Sequence, residues 1–123
     1  MHKLLILIEP LDDWTAFENT WPEFLHLVET MPGLLKESAS RVEKALFGTP
    51  YARVHELYFD SLPVLQAAMA SENGRAAGRL LQAMTGGRMT LLIADHHEDD
   101  LANIRKYQEE KVEEVGQEPD AGA

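Results

Sequence analysis

The sequence predicts an α+β domain in βαββαβ order, the ferredoxin-like arrangement of a four-stranded antiparallel sheet carrying both helices on one face. Three observations predict it. An unbroken apolar run opens the chain, two stretches have apolar residues at three- and four-residue steps, and two extended segments joined by turn residues lie between those stretches.

The opening run, Lys3 to Glu9 ended by Pro10, has strand length and no polar alternation, which suits an interior strand covered on both faces. Asp12 or Asp13 is placed to cap a helix whose apolar positions are Trp14, Phe17, Trp21, Phe24, Leu25 and Val28. Pro22 removes a helical hydrogen bond within it, so a kink or restart is expected near Thr20 to Pro22. Met31-Pro32-Gly33 stops the helix. Leu34 to Phe47 then reads as a long strand, Gly48-Thr49-Pro50 as a turn, and Tyr51 to Phe59 as its hairpin partner. Asp60 and Ser61 open a second helix with Pro63 in its first turn, interrupted near Asn73-Gly74 and ended by Gly86-Gly87. Met89 to Ala94 is the last strand. Residues 1–95 form the domain; 96–123 form an acidic extension, helical over Asp99 to Val115 and without order from Gly116 onward.

Composition bounds the function. The 123 residues, 45% hydrophobic and 26% charged, fit one globular domain. The absence of cysteine removes disulfides, thiol nucleophiles and thiolate metal sites. The net charge of -10 is concentrated beyond residue 95. An acidic chain without a clustered basic face lacks what nucleic acid and anionic membrane require, so neither is expected as a partner. No run approaches the roughly 20 apolar residues of a bilayer span, and the N-terminus lacks a cleavage site, so a cytoplasmic location is expected.

Leu4, Ile6 and Ile8 point opposite to Leu5 and Leu7, and Thr90 and Leu92 opposite to Leu91 and Ile93. Both sheet faces therefore read as apolar, while two helices cover one. A second copy of the chain is the expected cover for the other, giving a twofold homodimer.

Alternation puts Tyr51, Arg53, His55, Leu57 and Phe59 on one side of the third strand, and Val54, Glu56 and Tyr58 on the other. If the first set faces the helices, His55 lies in a pocket as a general base or as a hydrogen-bonded structural residue; the residue type fits both. His26 is the second acid–base candidate. Trp14, Trp21, Tyr51 and Tyr58 are the aromatic residues assigned to bind a small apolar or aromatic ligand, although aromatics at helical spacing also serve as plain core. Arg41 and Glu56 are expected to pair across strands. Asp95-His96-His97-Glu98-Asp99-Asp100 holds metal-ligand types, yet neighbours on a strand end diverge, so a solvated turn and no metal are expected. No phosphate loop or nucleophile elbow is present, and no cofactor is expected.

Ala52-Arg-Val-His-Glu-Leu-Tyr-Phe-Asp-Ser-Leu62 with Leu65-Gln-Ala-Ala-Met-Ala-Ser71 resembles the EthD-like family of the dimeric α+β barrel superfamily. Glu72 to Gly78, Gly87 to Ile93 and Met31 to Leu34 continue the resemblance over roughly residues 1–95. It implies a dimer whose sheets build a barrel and a pocket between sheet and helices. The functions it implies are ether degradation or, in relatives, cofactor-free oxygenation or cyclisation of aromatic molecules; a non-catalytic accessory protein is the alternative. That family commonly has a Trp and, four residues on, a His in its first helix. Here Leu25 stands four residues after Trp21, His26 comes one later, and counting back from Pro32 puts the family's His at Phe24.

Overall fold

A computed structural model describes residues 1–102. Strand β1 (His2–Ile8) lies at the centre of the sheet, and helix α1 (Trp14–Glu29) follows, its N-terminus capped by the Asp13 side chain accepting from the Ala16 N–H. Strands β2 (Lys36–Arg41) and β3 (Arg53–Phe59) come next, then α2 (Leu62–Ala70), α3 (Glu72–Thr85) and β4 (Met89–Asp95). All neighbouring strands are antiparallel in the order β2-β3-β1-β4, so the first and third strands are interior as expected. The fold class read from the sequence is the one observed.

Three local expectations need correction. Helix α1 runs through Pro22 without a restart. Pro22 and Glu18, whose carbonyl loses its helical donor, are both on the exposed side of the helix, and α1's apolar face holds it in place. The long strand over Leu34 to Phe47 is confined to β2; Val42 still donates to the Ala52 carbonyl at 2.8 Å, but Glu43 to Pro50 leave the sheet. In that loop Leu46 and Phe47 are 86% and 100% exposed.

The break in the second helical stretch falls at Ser71 rather than at Asn73-Gly74. Ser71 Oγ donates to the Ala68 carbonyl at 2.6 Å and accepts from the Gly74 N–H at 3.1 Å, closing one helix and opening the next. A Cβ on Gly74 would lie 2.1 Å from the Ala68 carbonyl oxygen, so this corner requires glycine. The expected helix over Asp99 to Val115 lies mostly outside the described residues.

The core forms between helices and sheet. Ile6, Ile8, Leu57 and Phe59 from the interior strands are sealed by Phe17, Phe24 and Val28 of α1 and by Leu65, Ala68, Ala77 and Leu81 of the later helices. The opposite sheet face is not uniformly apolar as expected. Leu5, Leu7, Val54 and Leu92 share it with a polar cluster in which Lys3 Nζ is 2.8 Å from Glu56 Oε1, while Ser38 and Tyr58 hydroxyls donate to Glu56 Oε2. The Lys3 hydrogen bond, followed by the others, holds the Glu56 carboxyl below its ordinary range. No helix covers this side in the described residues, and Leu92 is 47% exposed. Among those residues no helix is long and apolar enough to cross a membrane.

Candidate functional site

The site starts from strand register. Ile6, Ala39 and His55 lie side by side across three strands, on the face that also carries the buried Ile8 and Leu57. His55 therefore points under α1, where it is 3% exposed. One turn of α1 apart, Trp21 and Phe24 meet it: the Trp21 ring centroid is 5.3 Å from the imidazole, edge to face, and Phe24 is at 6.4 Å. Phe17, Trp21 and Phe24 stack in sequence at 5.1 and 5.0 Å, giving the helix a continuous aromatic underside.

His55 Nε2 is 3.1 Å from Glu37 Oε2 on β2, while its Nδ1 is buried without a hydrogen-bond partner among the described residues. A carboxylate only accepts, so the shared proton sits on Nε2 and Nδ1 keeps its lone pair. The pair is thus a base held in one tautomer by an acidic neighbour, the arrangement general-base chemistry uses. Burial lowers the imidazole pKa; the Glu37 hydrogen bond opposes this but does not outweigh it.

This has a consequence for stability. The unfolded chain takes up a proton near the ordinary imidazole value of 6.5, whereas folded His55 resists it. Its contribution is present above that value and is lost as pH falls below it toward the folded pKa. Urea unfolding at pH 7.5 and 5.5 should show a loss of stability at the lower pH that shrinks in His55→Asn; an equal loss in both proteins would refute the assignment.

A cavity of about 350 Å³ opens beside His55, lined by Trp21, Ala39, Arg41, Glu43 and Arg53 among others. A second of about 280 Å³ shares Arg41 and Arg53 and adds Trp14 and Val42. Arg53 binds the two together: it forms an ion pair with Glu18 of α1, and its guanidinium lies 4.9 Å from the Trp14 ring centroid and 5.2 Å from that of Phe17.

Of the residues assigned from sequence, His55, Trp21 and Trp14 are brought to these adjoining cavities. His26 is exposed on the outer side of α1, and Phe24 occupies the inward position beside His55. The Tyr51 hydroxyl is 3.2 Å from that of Thr90, and Tyr58 lies on the opposite sheet face with Glu56, so neither tyrosine joins His55. The expected Arg41–Glu56 pair is absent: Arg41 is registered opposite Arg53, and Glu56 pairs with Lys3. His96 and His97 engage Glu98 and Asp95 separately, at 2.7 and 2.9 Å, and among the described residues no three metal-ligand side chains converge. Sequence reasoning missed Glu37; the alternation Glu37, Ala39, Arg41 against Leu57, His55, Arg53 is the signal that contains it.

These features define the class: a ferredoxin-like α+β domain with a polar dyad and an aromatic wall between its first helix and its sheet. No family model and no curated protein matches the chain. Among solved structures it is similar to an EthD family protein from Bacillus halodurans C-125, at 28% identity over 79% of this chain and 99% of that one, TM-score 0.73. A dimeric ferredoxin-like protein of unknown function from Jannaschia sp. CCS1 matches at 15% identity over 77% and 98%, TM-score 0.62. SnoaB, a cofactor-independent oxygenase from Streptomyces nogalater, matches at 12% identity over 81% and 95%, TM-score 0.59. The chain is thus similar to an EthD family protein and shares the ferredoxin-like fold of these structures.

Proposed function

We propose that this chain is a homodimeric pocket protein that binds a small apolar or aromatic molecule and removes a proton from it through His55, which lines the cavity. The observation that carries the reading is the buried, unpartnered Nδ1 of an imidazole oriented by Glu37 and walled by Trp21 at a cavity. Proton removal is the opening step shared by cofactor-free oxygenation, in which O2 is the oxidant, by cyclisation and by dehydration. The likeness to an EthD family protein and to a cofactor-independent oxygenase supports a role in catabolism or secondary metabolism. Dimerisation is supported by the sheet face bearing Leu5, Leu7 and Leu92, which no helix among the described residues covers, by the exposed Leu46 and Phe47, and by the dimeric description of a structural neighbour.

A second reading, a binding or accessory protein without chemistry, draws on His55 being 3% exposed and already held by Glu37, as a structural histidine would be. Thermal unfolding with a panel of neutral and ionised bicyclic aromatics separates the readings. At least one compound should raise the Tm of the wild type and not that of Trp21→Leu. Conversion of that compound in air should vanish in His55→Gln while its Tm shift persists. Binding without conversion selects the accessory role, and no Tm shift with any compound rejects the pocket.

A further inference from the structure

We infer that the cavity beside His55 selects an aromatic anion, a planar carboxylate or phenolate whose charged end is taken by Arg41. The inference rests on the pocket reading above and adds the ligand's charge.

Arg41 and Arg53 are Cα partners on neighbouring strands, so two guanidinium groups leave the same sheet face side by side. Like charges placed directly opposite each other are unfavourable unless something compensates them. Arg53 is compensated, by Glu18 and by the Trp14 and Phe17 rings. Arg41 forms no ion pair with any described residue, although it lines both cavities. Glu43, two residues on, lies on the same rim and is exposed, but it too is outside any ion pair among the described residues.

An unmatched arginine at the mouth of an aromatic-walled cavity, in a chain of net charge -10, fits an anion that arrives with the ligand. A guanidinium forms two parallel hydrogen bonds to a carboxylate and so fixes the ligand's direction as well as its charge. Arg41 stands two residues beyond Ala39, the register partner of His55, a separation of roughly 7 Å along the strands. A ligand anchored at Arg41 thus lays a ring along Trp21 and presents a ring atom to His55, which ties specificity and chemistry to opposite ends of one molecule.

The test compares 1-naphthoate with its neutral isostere 1-naphthamide, followed by tryptophan fluorescence at pH 7.5 in wild type, Arg41→Met and Arg41→Lys. The wild type should bind the naphthoate about tenfold to a hundredfold more tightly, the worth of one charged hydrogen-bonded contact. Arg41→Met should bind both alike, and Arg41→Lys should keep part of the preference. Equal binding of both probes by the wild type, or a preference unchanged in Arg41→Met, overturns the inference and leaves an aromatic pocket standing. Failure of the wild type to bind either probe overturns the inference together with the pocket reading.

Discussion

Replacing Phe59 by alanine is expected to lower the free energy of unfolding by about 3–5 kcal/mol, the range for deleting a large aromatic from a core that collapses only partly. Phe59 is 0% exposed at the end of β3, packed with the aliphatic residues of β1 beneath the helices. Small domains have roughly 5–15 kcal/mol in total, so the variant should unfold at markedly lower urea or not fold at room temperature. The control is Leu91→Ala on the edge strand, 41% exposed, which should stay within about 1 kcal/mol of the wild type. Similar losses in the two variants would mean that the helices do not seal the sheet where described.

The second large effect concerns the other sheet face. Leu92 is registered opposite Leu5, and both lie on the side that no described helix covers. If a second copy sits there, Leu92→Glu buries an unpaired carboxylate in each protomer, at a cost of about 3–5 kcal/mol per site. Each such site weakens association by roughly a hundredfold or more, so the variant should run as a monomer where the wild type is a dimer. Because Leu92 is 47% exposed in the single chain, the variant should keep its circular dichroism spectrum and unfold cooperatively. A variant that remains dimeric would place the interface elsewhere, with the loop bearing Phe47 as the next surface to examine.

Much of this architecture was legible because its signals are local. The apolar run of β1, the cap at Ser61 and the turn at Gly86-Gly87 each reflect backbone requirements visible in a few residues. His55 and Trp21 were legible as well, since strand alternation and helical spacing put each on the face that the apolar residues define. His26 points away from His55, and the reason is geometric. Two residues of α-helix turn the chain by about 200°, so a side chain two places after the buried Phe24 leaves on the far side.

The two tyrosines lie away from His55 for different reasons. Strand β3 begins at Arg53, and the Tyr51 N–H still donates to the Thr49 carbonyl in the preceding turn, so strand alternation does not extend to Tyr51. Tyr58 was assigned to the ligand by type, despite alternating with Leu57 and Phe59 to the other face. Glu37 is hard to read because Lys36 to Arg41 is an edge segment of polar and small residues, whose alternation gains meaning only once it is registered against β3. Its meaning depends on register with β3, a non-local property. The same holds for Arg41, whose pairing with Arg53 replaces the partner that charge alone suggested.

In the proposed assembly the sheet carries helices and a pocket on one face and a second copy of itself on the other. Multi-angle light scattering of the wild type at micromolar concentration tests it most directly. The predicted result is a particle of twice the 13.8 kDa chain mass; a particle of 13.8 kDa would contradict it.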